Sequence, residues 1–243
     1  SDLACEYDAL VASGILSFED ALKLVDKRAR YMEECAQSQL GGMQAVIGLD
    51  ADTVYELCES IKQETGLEVT IANDNCNGQI TVAGTKEALD RSEKYFIDAG
   101  ARRVVMLKVS GAFHSPLMLE ASEKLAGHLE DISFQKPRIS IVSNVSASFM
   151  DEKEAKVNIP LQIVQGVRFR ESIEYLLQQE VDTFIEVGPK NVLSNLVKRI
   201  AKDHPNTPIR IFQVEDCESM KKVIQEIGGY DVKRKSCPDN REC

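Results

Sequence analysis

The chain has 243 residues, enough for one large domain or two smaller ones. Its composition is 43% hydrophobic and 28% charged, which is ordinary for a soluble globular protein. No stretch approaches the ~18 consecutive apolar residues of a membrane helix, and the net charge of −10 disfavours a nucleic-acid partner.

Seven scattered cysteines form no Cys-x-x-Cys pair. An odd number of unpaired cysteines favours free thiols in a reducing compartment over a disulfide framework or a zinc site. The first residues have neither a basic region nor an apolar core, so no secretory signal is expected and the predicted location is cytoplasmic.

The N-terminal region predicts two helices. A short helix over 6–13 is stopped by Gly14, and Ser17 starts a capping box for a second helix that reaches about Cys35. Apolar residues recur on one face of this second helix: Phe18, Ala21, Leu22, Val25, Ala29 and Met32.

Arg28 lies on that same apolar face. A buried guanidinium requires an anionic partner, because an unpaired buried charge is unfavourable. Two interpretations stay open: Arg28 reaches the rim or pairs with a structural carboxylate, or it forms a fork for a carboxylate-bearing substrate.

The next seventy residues alternate between strand and helix patterns. Turn signals separate the segments, and the order strand-helix-strand-strand-helix-strand predicts a split βαβ, or ferredoxin-like, unit. The predicted strands are 43–49, 67–73, 79–83 and 102–109, and the predicted helices are 50–65 and 85–99.

A histidine follows the last of these strands. His114 lies in a corner between Gly111 and Pro116, on a loop held by a strand behind it and a helix ahead of it. Such mounting suits a proton-transfer group, because the scaffold fixes its direction. A loop histidine without a catalytic role is the alternative.

After His114 the pattern predicts further strands and helices that alternate, which favours a mainly parallel α/β sheet. A short helix is expected over 158–164 with Pro160 in its first turn, and the segment 228–243 is expected to be disordered. The other predicted helices are 117–129, 169–179, 190–202 and 217–227, and the predicted strands are 138–143, 183–187 and 209–214.

These segments resemble the malonyl-CoA:acyl-carrier-protein transacylase family over most of residues 6–227. The resemblance implies an α/β fold, with a partial α/β-hydrolase-like parallel-sheet core and an inserted ferredoxin-like subdomain. The expected boundaries are 1–41 for core helices, 42–109 for the ferredoxin-like subdomain, 110–227 for the remaining core and 228–243 for the tail. The motifs that carry the resemblance are Glu6–Val11, Gly111–Met118, Ser143–Val145 and Glu186–Pro189.

The resemblance also implies the roles of individual residues. His114 matches the catalytic histidine, Arg28 the arginine that pairs with the malonyl carboxylate, and Gln162 the active-site glutamine associated with the histidine. Without the resemblance, the sequence favours a surface glutamine in a short helix for Gln162. Phe113 occupies a position where the family's malonyl-selective members often carry a bulky ring; a limit on the α-substituent of the substrate and a packing role are equal alternatives.

The implied substrates are malonyl-CoA and the phosphopantetheine thiol of an acyl carrier protein, in fatty acid synthesis. No metal and no redox cofactor are implied. Carrier proteins are acidic, so a basic cluster predicted on one helix is the docking candidate: Lys190, Lys198, Arg199 and Lys202. Favourable charge near a helix C-terminus is the alternative.

The sequence departs from the family at the nucleophile. The family places its serine in a tight Gly-x-Ser-x-Gly turn before a glutamate. Here Leu3 stands at the serine position ahead of Glu6, with Ser1 and Cys5 at the glycine positions. The upstream strands and an oxyanion donor that the family supplies are also absent from this sequence.

Two explanations follow for this departure. The sequence is a fragment or a frame-shifted form of an active enzyme, or the lineage has lost its nucleophile and has become a non-catalytic acyl- or carrier-protein-binding module. Either explanation predicts little or no transacylase activity for this chain alone. Without the upstream strands, an exposed apolar sheet edge is expected, with poor solubility or self-association as the consequence.

Overall fold

The computed structural model describes residues 2–228, and the side chains of residues 6–228. These residues form two compact units that divide between Gln179 and Glu180. The side chains of Ser1, Leu3 and Cys5 lie outside the described part. Of the segment 228–243, for which disorder is expected, Gly228 belongs to a helix and 229–243 lies outside the described residues.

The first unit combines helices with two antiparallel sheets. Its helices are α1 (Asp2–Ser13), α2 (Phe18–Ser38), α3 (Ala51–Thr65), α4 (Lys86–Asp98), α5 (Leu119–Gly127), α6 (Glu152–Val164) and α7 (Phe169–Gln178). Its strands are β1 (Gly41–Ile47), β2 (Val69–Cys76), β3 (Gln79–Thr85), β4 (Arg103–Met106), β5 (Ile141–Val142) and β6 (Phe149–Met150).

Strands β1 to β4 form one antiparallel sheet in the order β2-β3-β1-β4. The predicted order of strands and helices over 41–106 is confirmed. Asp50 caps α3 by accepting a hydrogen bond from the Thr53 N–H, and Gly66 ends it with a φ of 68°. Apolar residues of the sheet, α3 and α4 share one core that includes Val46, Ile61, Ile80 and Phe96.

Helices α1, α2, α5 and α6 enclose the second core of this unit. The buried stripe of α2 contains Leu24, Arg28 and Met32, so the prediction that Arg28 lies on the buried face is confirmed. The prediction that Phe18, Leu22 and Ala29 belong to that face is wrong, since Ala29 is exposed and Phe18 and Leu22 are 71% and 59% exposed. Helix α2 continues to Ser38, three residues past the predicted end.

Helix α6 is longer than its sequence pattern predicted. A capping box of Asp151 and Glu154 starts the helix at Glu152, so Pro160 is an interior residue and the first-turn prediction is wrong. Pro160 lacks an N–H, and the Ser122 hydroxyl donates to its carbonyl at 2.7 Å.

The second unit has one parallel pair of strands. Strands β7 (Thr183–Val187) and β8 (Arg210–Val214) pair in parallel, with α8 (Val192–Ile200) between them in the chain and α9 (Cys217–Gly228) after them. Ile185 and Val187 are 45% and 80% exposed, so β7 presents apolar surface within this unit. Across both units, no helix in the described residues is long and apolar enough to span a membrane.

Candidate active site

Helix α2 carries Arg28 into the first unit. The side chain is only 5% exposed, and its Nη2 donates to Gln162 Oε1 at 3.3 Å. The Arg28 Nε has no hydrogen-bond partner in the described part of the chain. A buried guanidinium N–H without an acceptor is unfavourable. The Arg28 guanidinium can therefore donate a hydrogen bond to one further anionic group.

Helix α6 brings Gln162 to the same place. Gln162 is 2% exposed, so the alternative of a surface glutamine is wrong. Its Oε1 accepts from Arg28, and its Nε2 donates to the carboxylate of Glu6. The Gln162 side chain therefore joins an arginine to a carboxylate and has a defined orientation.

His114 is held by the main chain of the same glutamine. It is 3% exposed, and its Nδ1 lies 2.7 Å from the Gln162 carbonyl oxygen. This carbonyl belongs to the last turn of α6, where no later helical N–H is available to it. Because a carbonyl only accepts, Nδ1 carries the proton, and Nε2 of the neutral ring has the lone pair.

The loop holds His114 in an unusual backbone conformation. His114 has a φ of 58°, in the left-handed region that few residues other than glycine adopt. Such backbone strain concentrates at functional sites, where the surrounding structure enforces it. The Ser115 hydroxyl donates to the Ala112 carbonyl at 2.6 Å, and Pro116 follows directly. This hydrogen bond spans His114 and restrains the loop conformation around it.

Burial determines the charge state of His114. Loss of solvent lowers the pKa of His114 to about 4, and the positive charge of Arg28 acts in the same direction. Main-chain interactions with Gln162 and Gln165 oppose this shift. The ring is therefore neutral at pH 7 and can accept a proton at Nε2.

Glu6 completes the cluster and was not among the predicted site residues. Helix α1 buries it to 7% exposure beside Arg28 and Gln162. Burial raises the pKa of Glu6 to about 7, although hydrogen bonds from Asn144 and the charge of Arg28 lower it. Its position four residues before buried Leu10 places a carboxylate on the inner face of α1, and that spacing was a signal available in the sequence.

The segment after β5 is fixed to α6. The Ser143 hydroxyl accepts from the Val145 N–H at 3.1 Å and from the Asn158 side-chain amide at 3.1 Å. This motif therefore holds Asn144 where it interacts with the Glu6 carboxylate.

Phe113 is half-buried next to His114. It packs against the core of α1, α2, α5 and α6 and against a small cluster that includes Met43, Ala83 and Ala112. These contacts give Phe113 a packing role, and its proposed influence on the substrate stays a prediction.

The basic cluster lies in the second unit. The side chains of Lys190, Lys198, Arg199 and Lys202 are exposed. Their placement on a single helix is wrong, since α8 covers only 192–200. Lys190 precedes the helix with a φ of 69°, and Lys202 lies in a short 3₁₀ turn after it.

A cavity of about 600 Å³ lies between the four-stranded sheet with α3 and the segment that joins α6 to α7. Its lining mixes apolar and polar groups, among them Tyr55, Thr70, Pro116, Gln165 and Arg168. Gln165 also interacts with His114 through its main chain, so one cavity wall borders the histidine. Among the described residues, no group of three or more His, Cys, Asp and Glu side chains could hold a metal ion.

Comparison with known proteins defines the class. The family described as acyl transferase domain matches residues 4–236. The malonyl CoA-acyl carrier protein transacylase of Bacillus subtilis is 40% identical over 223 residues, which cover 91% of this chain and 68% of that protein.

Solved structures agree with this class. A malonyl CoA-acyl carrier protein transacylase from Coxiella burnetii superposes with a TM-score of 0.85 at 33% identity, over 92% of this chain and 69% of that one. A malonyl-transacylase in complex with a type II PKS acyl-carrier protein gives 0.84 at 34% identity, over 91% and 70%. The family match and these likenesses define an acyltransferase with an α/β fold. The chain belongs to the malonyl CoA-acyl carrier protein transacylase family.

Proposed function

We propose that this chain functions in the transfer of a malonyl group from malonyl-CoA to the phosphopantetheine thiol of an acyl carrier protein, a step of fatty acid synthesis. The observation that carries this proposal is the joint placement of His114 and Arg28 on Gln162. The Gln162 carbonyl fixes the histidine, and the Gln162 side chain fixes the arginine. One residue thereby aligns a proton-transfer group with a carboxylate-binding group.

The proposed chemistry assigns His114 as general base and acid. In the family's reaction a serine hydroxyl attacks the thioester carbonyl while the histidine takes its proton at Nε2 and then returns it to the leaving thiolate; His114 fills the histidine role here, whereas Leu3 stands at the serine position. Backbone N–H groups stabilise the oxyanion of the tetrahedral intermediate. The malonyl carboxylate pairs with Arg28, and the unsatisfied Nε supports this role. We infer no metal and no redox cofactor.

The finer fold is also part of the proposal. The strand order β2-β3-β1-β4 with α3 and α4 supports a ferredoxin-like subdomain over 42–109. The parallel pair β7 and β8 supports an α/β-hydrolase-like core, to which 1–41 and 110–227 contribute. The cavity bordered by Pro116 and Gln165 is the candidate channel for the pantetheine arm.

Two further roles extend the proposal. A basic cluster is the proposed docking surface for an acidic carrier protein, and the exposure of its side chains supports this role. The cluster comprises Lys190, Lys198, Arg199 and Lys202. Phe113, adjacent to the histidine, limits the substituent on the acyl group that the site accepts.

Substitution of Arg28 tests the proposed function. Wild-type chain should bind malonyl-CoA more tightly than acetyl-CoA in isothermal titration calorimetry. Arg28→Ala should weaken malonyl-CoA binding by about 10- to 150-fold, the equivalent of ~1.5–3 kcal/mol for a hydrogen bond to a charged group. Acetyl-CoA binding should change little.

Arg30→Ala is the matched control, because Arg30 is an exposed arginine of α2 that pairs with Asp26. It should leave both affinities unchanged. An Arg28→Ala variant with an unchanged preference for malonyl-CoA would reject the assignment.

A non-catalytic binding module is the second candidate, and Leu3 at the nucleophile position favours it. Both candidates predict selective malonyl-CoA binding. They differ in the coding sequence ahead of Ser1: a Gly-x-Ser-x-Gly in a neighbouring frame or an intact upstream half favours the enzyme, and a long in-frame sequence without that serine favours the binder.

A further inference from the structure

Glu6 is an internal carboxylate next to the arginine that we assign to the substrate carboxylate. Its carboxylate accepts from Gln162 Nε2, and the other end of that amide accepts from Arg28 at 3.3 Å. Asn144 also interacts with the same carboxylate through its main chain and its side chain, which lowers the pKa of Glu6. Within the described residues no direct ion pair joins Glu6 to Arg28. The Gln162 side-chain amide is therefore the group through which Glu6 acts on the orientation of the Arg28 guanidinium.

The cluster offers one guanidinium to two carboxylates when a malonyl group binds. Glu6 and Arg28 are both less than 8% exposed, so solvent screens their charges poorly. A second carboxylate at Arg28 meets the negative charge of Glu6 at short range, and two carboxylates that share a site do not both ionise readily. A proton on Glu6 removes the conflict.

We propose that Glu6 is a positioning and selectivity residue that orients Gln162 toward Arg28 and takes up one proton when a substrate carboxylate binds. The inference rests on the proposed function, namely that Arg28 pairs with the malonyl carboxylate. The step is an acid–base reaction in which a proton moves from solvent or buffer to the Glu6 carboxylate. The ionised form orients the amide, and the protonated form admits the second anion.

Glu6 is suited to this exchange near neutral pH. Burial raises its pKa to about 7, so both forms are populated before the substrate arrives. The groups that face it hold constant charge over pH 6–9. His114 has a pKa of about 4, burial raises the pKa of Tyr7 above its ordinary value, and Arg28 stays cationic. Gln162 and Asn144 do not titrate.

Calorimetry with the full chain tests this inference. Malonyl-CoA and acetyl-CoA are titrated between pH 6 and 8.5 in two buffers of different ionisation enthalpy, which measures proton uptake directly. Both thioesters carry the same titrating phosphate, so their difference isolates the malonyl carboxylate. Above pH 7 the dissociation constant for malonyl-CoA should rise by up to about tenfold per pH unit, with uptake of about one proton, because each pKa unit is a factor of ten. Acetyl-CoA should show neither effect.

Glu6→Gln should remove the proton uptake and the pH dependence, and at pH 8.5 it should bind malonyl-CoA more tightly than wild type does. A merely structural role would instead lower the affinity equally at every pH. Glu19→Gln, an exposed glutamate of α2 paired with Lys23, is the control and should behave as wild type.

A second measurement is independent of substrate. The side-chain amide ¹⁵N signal of Gln162 should shift with pH around 7 in the free wild-type chain and should not shift in Glu6→Gln. Wild type that prefers malonyl-CoA without proton uptake would overturn the inference and leave the proposed function intact. Absence of any malonyl preference would overturn the proposed function, and the Gln162 signal would then decide whether Glu6 orients the amide.

Discussion

His114 and Glu6 contribute to stability with opposite dependence on pH. The pKa of His114 falls from an ordinary 6.5 to about 4 on folding, so the unfolded chain binds more protons between these values and stability rises with pH. The pKa of Glu6 rises from 4.5 to about 7, so the folded chain binds more protons in that range and stability falls as pH rises. Between pH 4.5 and 6.5 the two effects oppose each other.

Single substitutions should separate these contributions. Relative to wild type, Glu6→Gln should gain stability as pH rises from 4.5 to 7, and His114→Asn should lose stability as pH rises from 4 to 6.5. Each slope should reach up to about 1.4 kcal/mol per pH unit. Urea denaturation across this range measures both slopes. Equal slopes for the two variants would contradict the assigned shifts.

The sequence shows which charged residues lie on an apolar helix face, but it does not show which side chains they contact in the folded chain. Arg28 was predicted to be buried because the α2 spacing defines an inner face. The contacts of Gln162 depend on where α6 ends and on how α1 docks, and both are set by packing distant in sequence. The left-handed conformation of His114 has no local signature beyond Gly111, three residues before it, and Pro116, two residues after it.

The loop that carries His114 packs tightly on α2. A Cβ atom on Gly111 would lie 2.6 Å from the Ala36 Cβ and 3.3 Å from the Met118 Cε. Gly111→Ala should therefore push the loop away from the helix and destabilise the chain by about 1–3 kcal/mol, the usual range for overpacking.

A double-mutant cycle tests this contact. Ala36→Gly should recover part of the loss in the Gly111→Ala background, beyond the sum of the single effects in thermal or urea unfolding. Gly127→Ala is the control, because nothing lies within 4 Å of its Cβ position, and it should be neutral or stabilising. Strict additivity of the two substitutions would exclude the contact.

At the scale of helices and strands, the sequence predicts the type and order of the elements better than it predicts where each one begins and ends. Alternation of strand and helix patterns between residues 41 and 106 was sufficient for the four-stranded sheet, since turns and caps such as Asp50 and Gly66 mark its boundaries. The sequence pattern predicts too short a helix α6, because proline is common in the first turn of a helix and Pro160 is an interior residue here. The capping box at Asp151 is the stronger signal, and packing on α5 tolerates the interior proline.

At the scale of the whole molecule, we expect the chain to bind its substrate without turning it over. Leucine at position 3 cannot be acylated, so wild-type chain should bind malonyl-CoA and yet transfer no malonyl group to a phosphopantetheinylated carrier protein. Intact-mass spectrometry of the carrier protein measures the transfer. Full turnover by the wild-type chain would show that another group serves as nucleophile.

The two compact units differ in how completely their sheets are covered. The four-stranded sheet of the first unit packs on α3 and α4, whereas β7 of the second unit presents Ile185 and Val187. The apolar runs of the sequence predict the two strands, over 183–187 and 209–214. The degree of burial depends on what the strands pack against, and periodicity does not encode that.

The protonation state of His114 is the most direct test of the acyltransferase site. ¹⁵N-resolved NMR of the imidazole in the free chain should show a neutral ring at pH 7 with the proton on Nδ1, and protonation only as pH falls toward about 4. That result would establish a base whose Nε2 can accept a proton. An imidazolium at pH 7, or a neutral ring with its proton on Nε2, would contradict the assignment of His114 as the general base.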